Sequence, residues 1–168
     1  MKVIYFFVNL KDELGVYKDY FETNGGFWEA LGIAALVALV FAVLFYLVIG
    51  FLSHDLSRTR YWWVTMLVAM ICSFTFTCAN TSMSNPHRGL GETLEKRWAK
   101  IDFDQEKKPA YDMMKRDFKK GIAKVKPVRN LCIGNCIYTA ILFYLFSLVF
   151  LFILPERNLC KEIPHRLG

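Results

Sequence analysis

Three long stretches of this 168-residue sequence carry no Asp, Glu, Lys, Arg or His: 30–53, 61–79 and 130–155. Their 24, 19 and 26 residues leave too little polar surface for three helices that must face water. Proline is scarce as well. Pro86, Pro109, Pro127, Pro155 and Pro164 all fall outside these stretches or at their ends. No proline is therefore expected to kink a helix formed there. Five cysteines (Cys72, Cys78, Cys132, Cys136 and Cys160) without a C-x-x-C pair are too few for a disulfide scaffold and lack zinc-site spacing. Phosphate-cradling glycine loops, H-E-x-x-H and nucleophile elbows are missing too. No catalytic class is indicated, and no cofactor or metal is expected.

What is present is apolar. Hydrophobic residues make up 55% of the chain and aromatics 16%, with a mean hydropathy of +0.29. Disorder, collagen and a coiled-coil rod are excluded by that balance. At a rise of ~1.5 Å per residue the stretches reach about 36, 28 and 39 Å, against a hydrocarbon core of roughly 30 Å. The expected fold is an all-α integral membrane protein. It has three transmembrane helices, an N-terminal amphipathic helix and a two-helix basic segment between the second and third spans. The chain divides accordingly into an interfacial segment 1–26, a transmembrane hairpin 27–79, a basic helical loop 80–129, a third span 130–155 and a tail 156–168. Trp28, Tyr61, Trp62 and Trp63 stand at span ends, as interfacial anchors do. Met1–Leu10 does not read as a signal peptide, because its apolar patch is short and no small-residue cleavage site follows.

Three spans place the N-terminus and the second loop on one side, with sixteen Lys and Arg residues, and the first loop and tail on the other, with five. Positive-inside reasoning orients the N-terminus inside and the C-terminus outside, in a bacterial inner membrane or an organellar one such as the mitochondrial inner membrane. The second loop holds thirteen of the basic residues against seven acids. Its densest cluster is Lys115, Arg116, Lys119, Lys120, Lys124, Lys126 and Arg129. Contact with anionic lipids of the inner leaflet is expected there, or with an acidic partner. Nucleic acid is not, since no binding module accompanies the charge.

Outside the spans, Leu10, Leu14, Tyr17 and Phe21 share one face of a predicted helix over 10–22, closed by Asn24-Gly25-Gly26. Such a helix either lies on the membrane interface or docks on the loop helices. In the second loop, Leu90, Leu94, Trp98 and Ile101 follow helical spacing. After Pro109 so do Tyr111, Met114, Phe118, Ile122 and Val125, and Pro127 is expected to end that helix. Leu94, Trp98, Met114 and Phe118 are candidate docking residues for a partner, although these stripes can also bury each other.

Small residues recur every fourth position within the spans: Ala30, Ala34, Ala38 and Ala42 in the first, Thr65, Ala69, Ser73 and Thr77 in the second. Such ladders let helix backbones approach closely, and hydroxyls add bonds across the seam. They predict packing within the chain or between copies. A polar path lined by Thr65, Ser73 and Thr77 is the further alternative. Asn135 is the strong polar group of the third span and calls for a partner on a neighbouring helix. Cys132 and Cys136 share a face of that span, and its aromatic excess suggests lipid or partner contact. His54 and Asp55 form a weak acid–base pair, and Asn80-Thr81-Ser82 fits a glycosylation acceptor on the unfavourable side.

The resulting expectation is a non-catalytic structural or anchoring subunit of a larger membrane complex. Its partners would be other membrane-protein subunits, or copies of itself, and lipid. A homo-oligomeric pore, sensor or effector, for example in envelope stress or phage defence, is the alternative. A small membrane enzyme, with Asn135, His54 and Asp55 as its only candidate residues, is a distant third.

Overall fold

A computed structural model describes Val8 and residues 12–23, 25–49, 59–81, 89–101, 104–120 and 125–153. Every regular element among them is helical. Helix α1 is a short turn, Val16–Lys18, that continues as a π-helix, Asp19–Thr23. Helix α2, Gly26–Val43, likewise runs on as a π-helix, Leu44–Ile49. Then follow α3, Thr59–Thr81, α4, Leu90–Lys100, a 3-10 turn, Gln105–Lys107, α5, Lys108–Lys119, and α6, Lys126–Ile153. Within α2 with its π-turns, α3 and α6, the segments Gly26–Val48, Arg60–Thr81 and Lys126–Phe150 are long and apolar enough to cross a membrane. Their 23, 22 and 25 residues extend about 33–38 Å at ~1.5 Å each.

Two compact units divide the chain, and they are not consecutive blocks. The first comprises Met1–Leu31 and Phe74–Gly134, the second Gly32–Ser73 and Asn135–Gly168. Each long helix contributes to both.

The second unit is built around small residues filled by aromatics. Ala38 and Ala42 of α2 are fully buried with Phe45, Tyr46, Trp62 and Phe143. The Tyr46 and Phe150 rings stack at 5.6 Å, and Trp62 tilts against Phe143 at 5.2 Å. Trp62 of α3 bonds Ser147 of α6, and Ser73 lies against Thr139, so the two helices run antiparallel there. Trp62 is thus taken up inside the chain. It is 2% exposed, whereas Trp28 and Trp63 are 65% and 48% exposed. Phe143, expected to face lipid or a partner, is also interior. The reason is geometric: the alanine ladder opens a groove that large rings fill.

The first unit packs α4 against α1 on one side and α5 on the other. Leu90, Leu94 and Trp98 of α4 are buried, as their spacing predicts. The Trp98 and Tyr111 rings stack at 4.7 Å to join α4 to α5. Leu94, Trp98 and Phe118 are buried and Met114 half-buried, so the chain itself covers much of the face considered for a partner. Helix α1 contacts α4, as docking on the loop helices requires. It is shorter than its spacing suggested, because Gly15 takes a left-handed φ of 71° immediately before it. Val16 of α1 and Tyr20 and Phe21 of the π-turn are buried, while Tyr17 is only half-buried and Leu10 lies outside the described residues. Pro127 also differs from expectation. It occupies the second position of α6, where a missing N–H costs nothing, and so starts the third long helix instead of ending α5 at its base.

Candidate functional site

In the first unit, polar groups gather where α2 begins, α3 ends and α6 begins. The Asn80 side-chain amide donates to Glu29 Oε2 at 2.9 Å. The sequon asparagine is thus engaged inside the chain. The Cys78 and Cys132 sulfurs lie 2.9 Å apart. The hydroxyl of Tyr20 is buried and has no hydrogen-bond partner among the described residues. Burial pushes its phenol well above the ordinary value, and the nearby Glu29 and Cys132 act in the same direction. Gly26 makes this arrangement possible, since a Cβ there would meet the Tyr20 ring at 2.8 Å.

The N-terminal segment is tied to α4 at the edge of this cluster. Arg97 Nε donates to the Leu14 carbonyl at 2.9 Å, and its Nη1 lies 3.3 Å from Asp19 Oδ2. Asp12 accepts from the Val16 N–H at 2.7 Å, satisfying a free donor at the start of α1. Partial burial still holds its carboxyl above the ordinary value, against the pull of the backbone N–H groups of Val16, Tyr17 and Gly15. Burial, then Asp12 and Asp117, push the Tyr17 phenol up to about 12.

The basic cluster lies on α5 and at the base of α6. Arg116, Lys119 and Lys120 are exposed, as are Lys126 and Arg129, while Lys124 lies outside the described residues. Lys115 differs from these. Its ammonium donates to the Tyr111 hydroxyl at 3.0 Å and stands 3.8 Å from Glu95. The Tyr111 bond holds it above the usual lysine range. Lys115 thus helps join α5 to α4 and is less exposed than the other described members of the cluster.

In the second unit the ladder residues are interior. Ala34, Ala38, Ala42, Ala69, Ser73 and Asn135 are fully buried; in the first unit Ala30 and Thr77 are buried too. Thr65 is half-buried and returns its hydroxyl to the Tyr61 carbonyl at 2.8 Å. Ser73 meets Thr139, 2.8 Å away on α6, and Thr139 also bonds the Asn135 carbonyl at 2.7 Å. Trp62 donates its indole N–H to Ser147 at 3.1 Å, and Ser147 donates onward to the Phe143 carbonyl at 2.7 Å. Cys136 turns to the Met70 carbonyl at 3.4 Å, so the two cysteines sharing a face of α6 engage separate groups of α3.

Thr139 lies four residues after Asn135 and eight before Ser147, a helical spacing that marks it in the sequence. The Cys78–Cys132 pairing carried no such signal, since the two cysteines are separated by 54 positions. His54, Asp55, His87, His165 and Cys160 lie outside the described residues. No group of three His, Cys, Asp or Glu side chains able to hold a metal occurs among the described residues. Compared with known protein families, curated proteins and solved structures, the chain matches none of them.

Proposed function

We propose that this chain is a multi-pass integral membrane protein acting as a non-catalytic structural subunit, which anchors a small layer of helices at the inner face of its membrane. The observation that carries this reading is the destination of the polar groups. In the second unit, Ser73, Thr139, Ser147 and the Trp62 indole bond within the chain, while Leu36, Val64, Leu67, Ile71, Ile137 and Ile141 point outward. Outward apolar faces suit lipid or neighbouring spans, and interior hydroxyls serve as glue between helices. In the first unit, α4 joins α1 and α5, with Arg116, Lys119 and Lys120 exposed toward an anionic leaflet or an acidic partner. The N-terminus and this layer are on the inside in this reading.

A pore lined by Thr65, Ser73 and Thr77 finds less support. Ser73 and Thr77 are fully buried in the single chain, and a lumen would have to displace what covers them.

Mass analysis of the full-length protein, extracted gently from its native membrane, tests the reading. Other polypeptides present at fixed stoichiometry are expected. A defined homo-oligomer with no other component would overturn it and direct attention to conductance.

A further inference from the structure

We infer that Cys78 and Cys132 form a redox couple, which closes reversibly into an intramolecular disulfide by exchange with a small disulfide such as oxidised glutathione. Their sulfurs are 2.9 Å apart, about 0.9 Å beyond the ~2.05 Å of a disulfide bond. No other residue needs to stand between them, and closure requires only a small approach of the two side chains. The flanking positions are fixed by secondary structure. Cys78 lies one turn before the end of α3, and Cys132 lies in the second turn of α6.

Exposure assigns the order of steps. Cys78 is half-buried and Cys132 fully buried. Its place near the helix end brings Cys78 within about 5 Å of that end along the axis. Its thiolate attacks one sulfur of the small disulfide, a thiolate leaves, and a mixed disulfide forms at Cys78. The Cys132 thiolate then attacks Cys78 Sγ and expels the second small thiolate. Two protein thiols become one disulfide, and the small disulfide becomes two thiols, so electrons and protons balance. The 54-position interval closed by the bond contains α4 and α5. Oxidation thus links the end of α3 covalently to the start of α6, and reduction restores the two neighbouring thiols. This inference stands independently of whether the chain serves as a subunit.

The test uses the full chain in lipid nanodiscs, treated with oxidised glutathione. The expected product is a monomer that has lost two hydrogens in mass and two maleimide-reactive thiols, with peptide mapping that joins Cys78 to Cys132 and reversal by dithiothreitol. Cys132→Ser is expected to trap one glutathione on Cys78, whereas Cys78→Ser leaves Cys132 unmodified. Persistence of Cys78 and Cys132 as free thiols in the treated wild type, linkage between chains, or preferential glutathionylation of Cys132 would each overturn the inference. The wild-type mapping decides the matter even if a variant fails to fold.

Discussion

Arg97 and Asp19 form an ion pair at 3.3 Å that, together with the Arg97 bond to the Leu14 carbonyl, fastens the N-terminal helix to α4. One guanidinium serves both because its donors form a rigid fork. Both charged side chains are partly open to solvent, so the ion pair itself adds little. The bond to the carbonyl contributes more. Replacing Arg97 with Ala is expected to cost about 1–2 kcal/mol locally, and Arg97→Lys to recover only part of it. Hydrogen exchange over 12–23 measures this directly: faster exchange in the Ala variant is the expected result, and unchanged protection would refute it.

The Trp62–Ser147 bond offers an asymmetric pair of substitutions. Ser147→Ala leaves a buried indole N–H without its acceptor, a loss of about 1–3 kcal/mol. Trp62→Phe removes the donor and leaves a hydroxyl that still bonds the Phe143 carbonyl, but it also vacates volume among Ala38, Ala42 and Phe143. Steric-trap unfolding of the two variants and of the double variant gives the coupling. Strict additivity would show that the bond contributes nothing.

Ser73→Leu separates a structural interior from a conducting one. Ser73 is fully buried against Thr139. A leucine there overpacks the seam, at about 1–3 kcal/mol, while Thr139 keeps its bond to the Asn135 carbonyl. The expected phenotype is reduced yield and lower thermal stability in detergent. Normal folding accompanied by altered conductance would instead point to a pore.

Asp12 links the N-terminal segment to pH. Burial raises its carboxyl above the ordinary 3.8. The folded chain therefore holds this proton more tightly than the unfolded chain does. Its stabilising share is complete below the unfolded value and is lost as pH rises through the raised folded value. Asp12→Asn keeps an acceptor for the Val16 N–H while removing that loss, so its protection over 12–23 is expected to equal or exceed wild type near neutral pH. Asp12→Ala loses the acceptor and about 1 kcal/mol. Exchange rates recorded from about pH 4 to about pH 7 distinguish these cases; a wild-type profile that gains protection with pH, relative to Asp12→Asn, would contradict them.

The helices of α4 and α5 were legible because Leu90, Leu94, Trp98, Tyr111 and Phe118 repeat at helical spacing, and Pro109 lies at the start of α5 as its chemistry requires. The role of Pro127 was not. A proline suits either side of a helix boundary, and only the helix that follows shows which side it marks. Trp62 presented a similar ambiguity. A tryptophan at a span end fits a membrane interface, yet it also fits a groove of alanines with a serine in reach of its N–H.

What the sequence by itself determined is local and additive: three runs without charge, helices long enough to cross a membrane, and a strong excess of basic residues between the second and third. Hydropathy and helical period depend only on neighbours along the chain. The partners of the interior groups were decided by tertiary structure alone. Ser73 with Thr139, Glu29 with Asn80 and Cys78 with Cys132 lie 66, 51 and 54 positions apart. A single chain's spacing carries no record of helix rotation about its axis, and rotation decides which polar group of one helix faces which of another. Packing set it here, as large rings filled the alanine groove and the hydroxyls, amides and thiols took up positions within reach of one another.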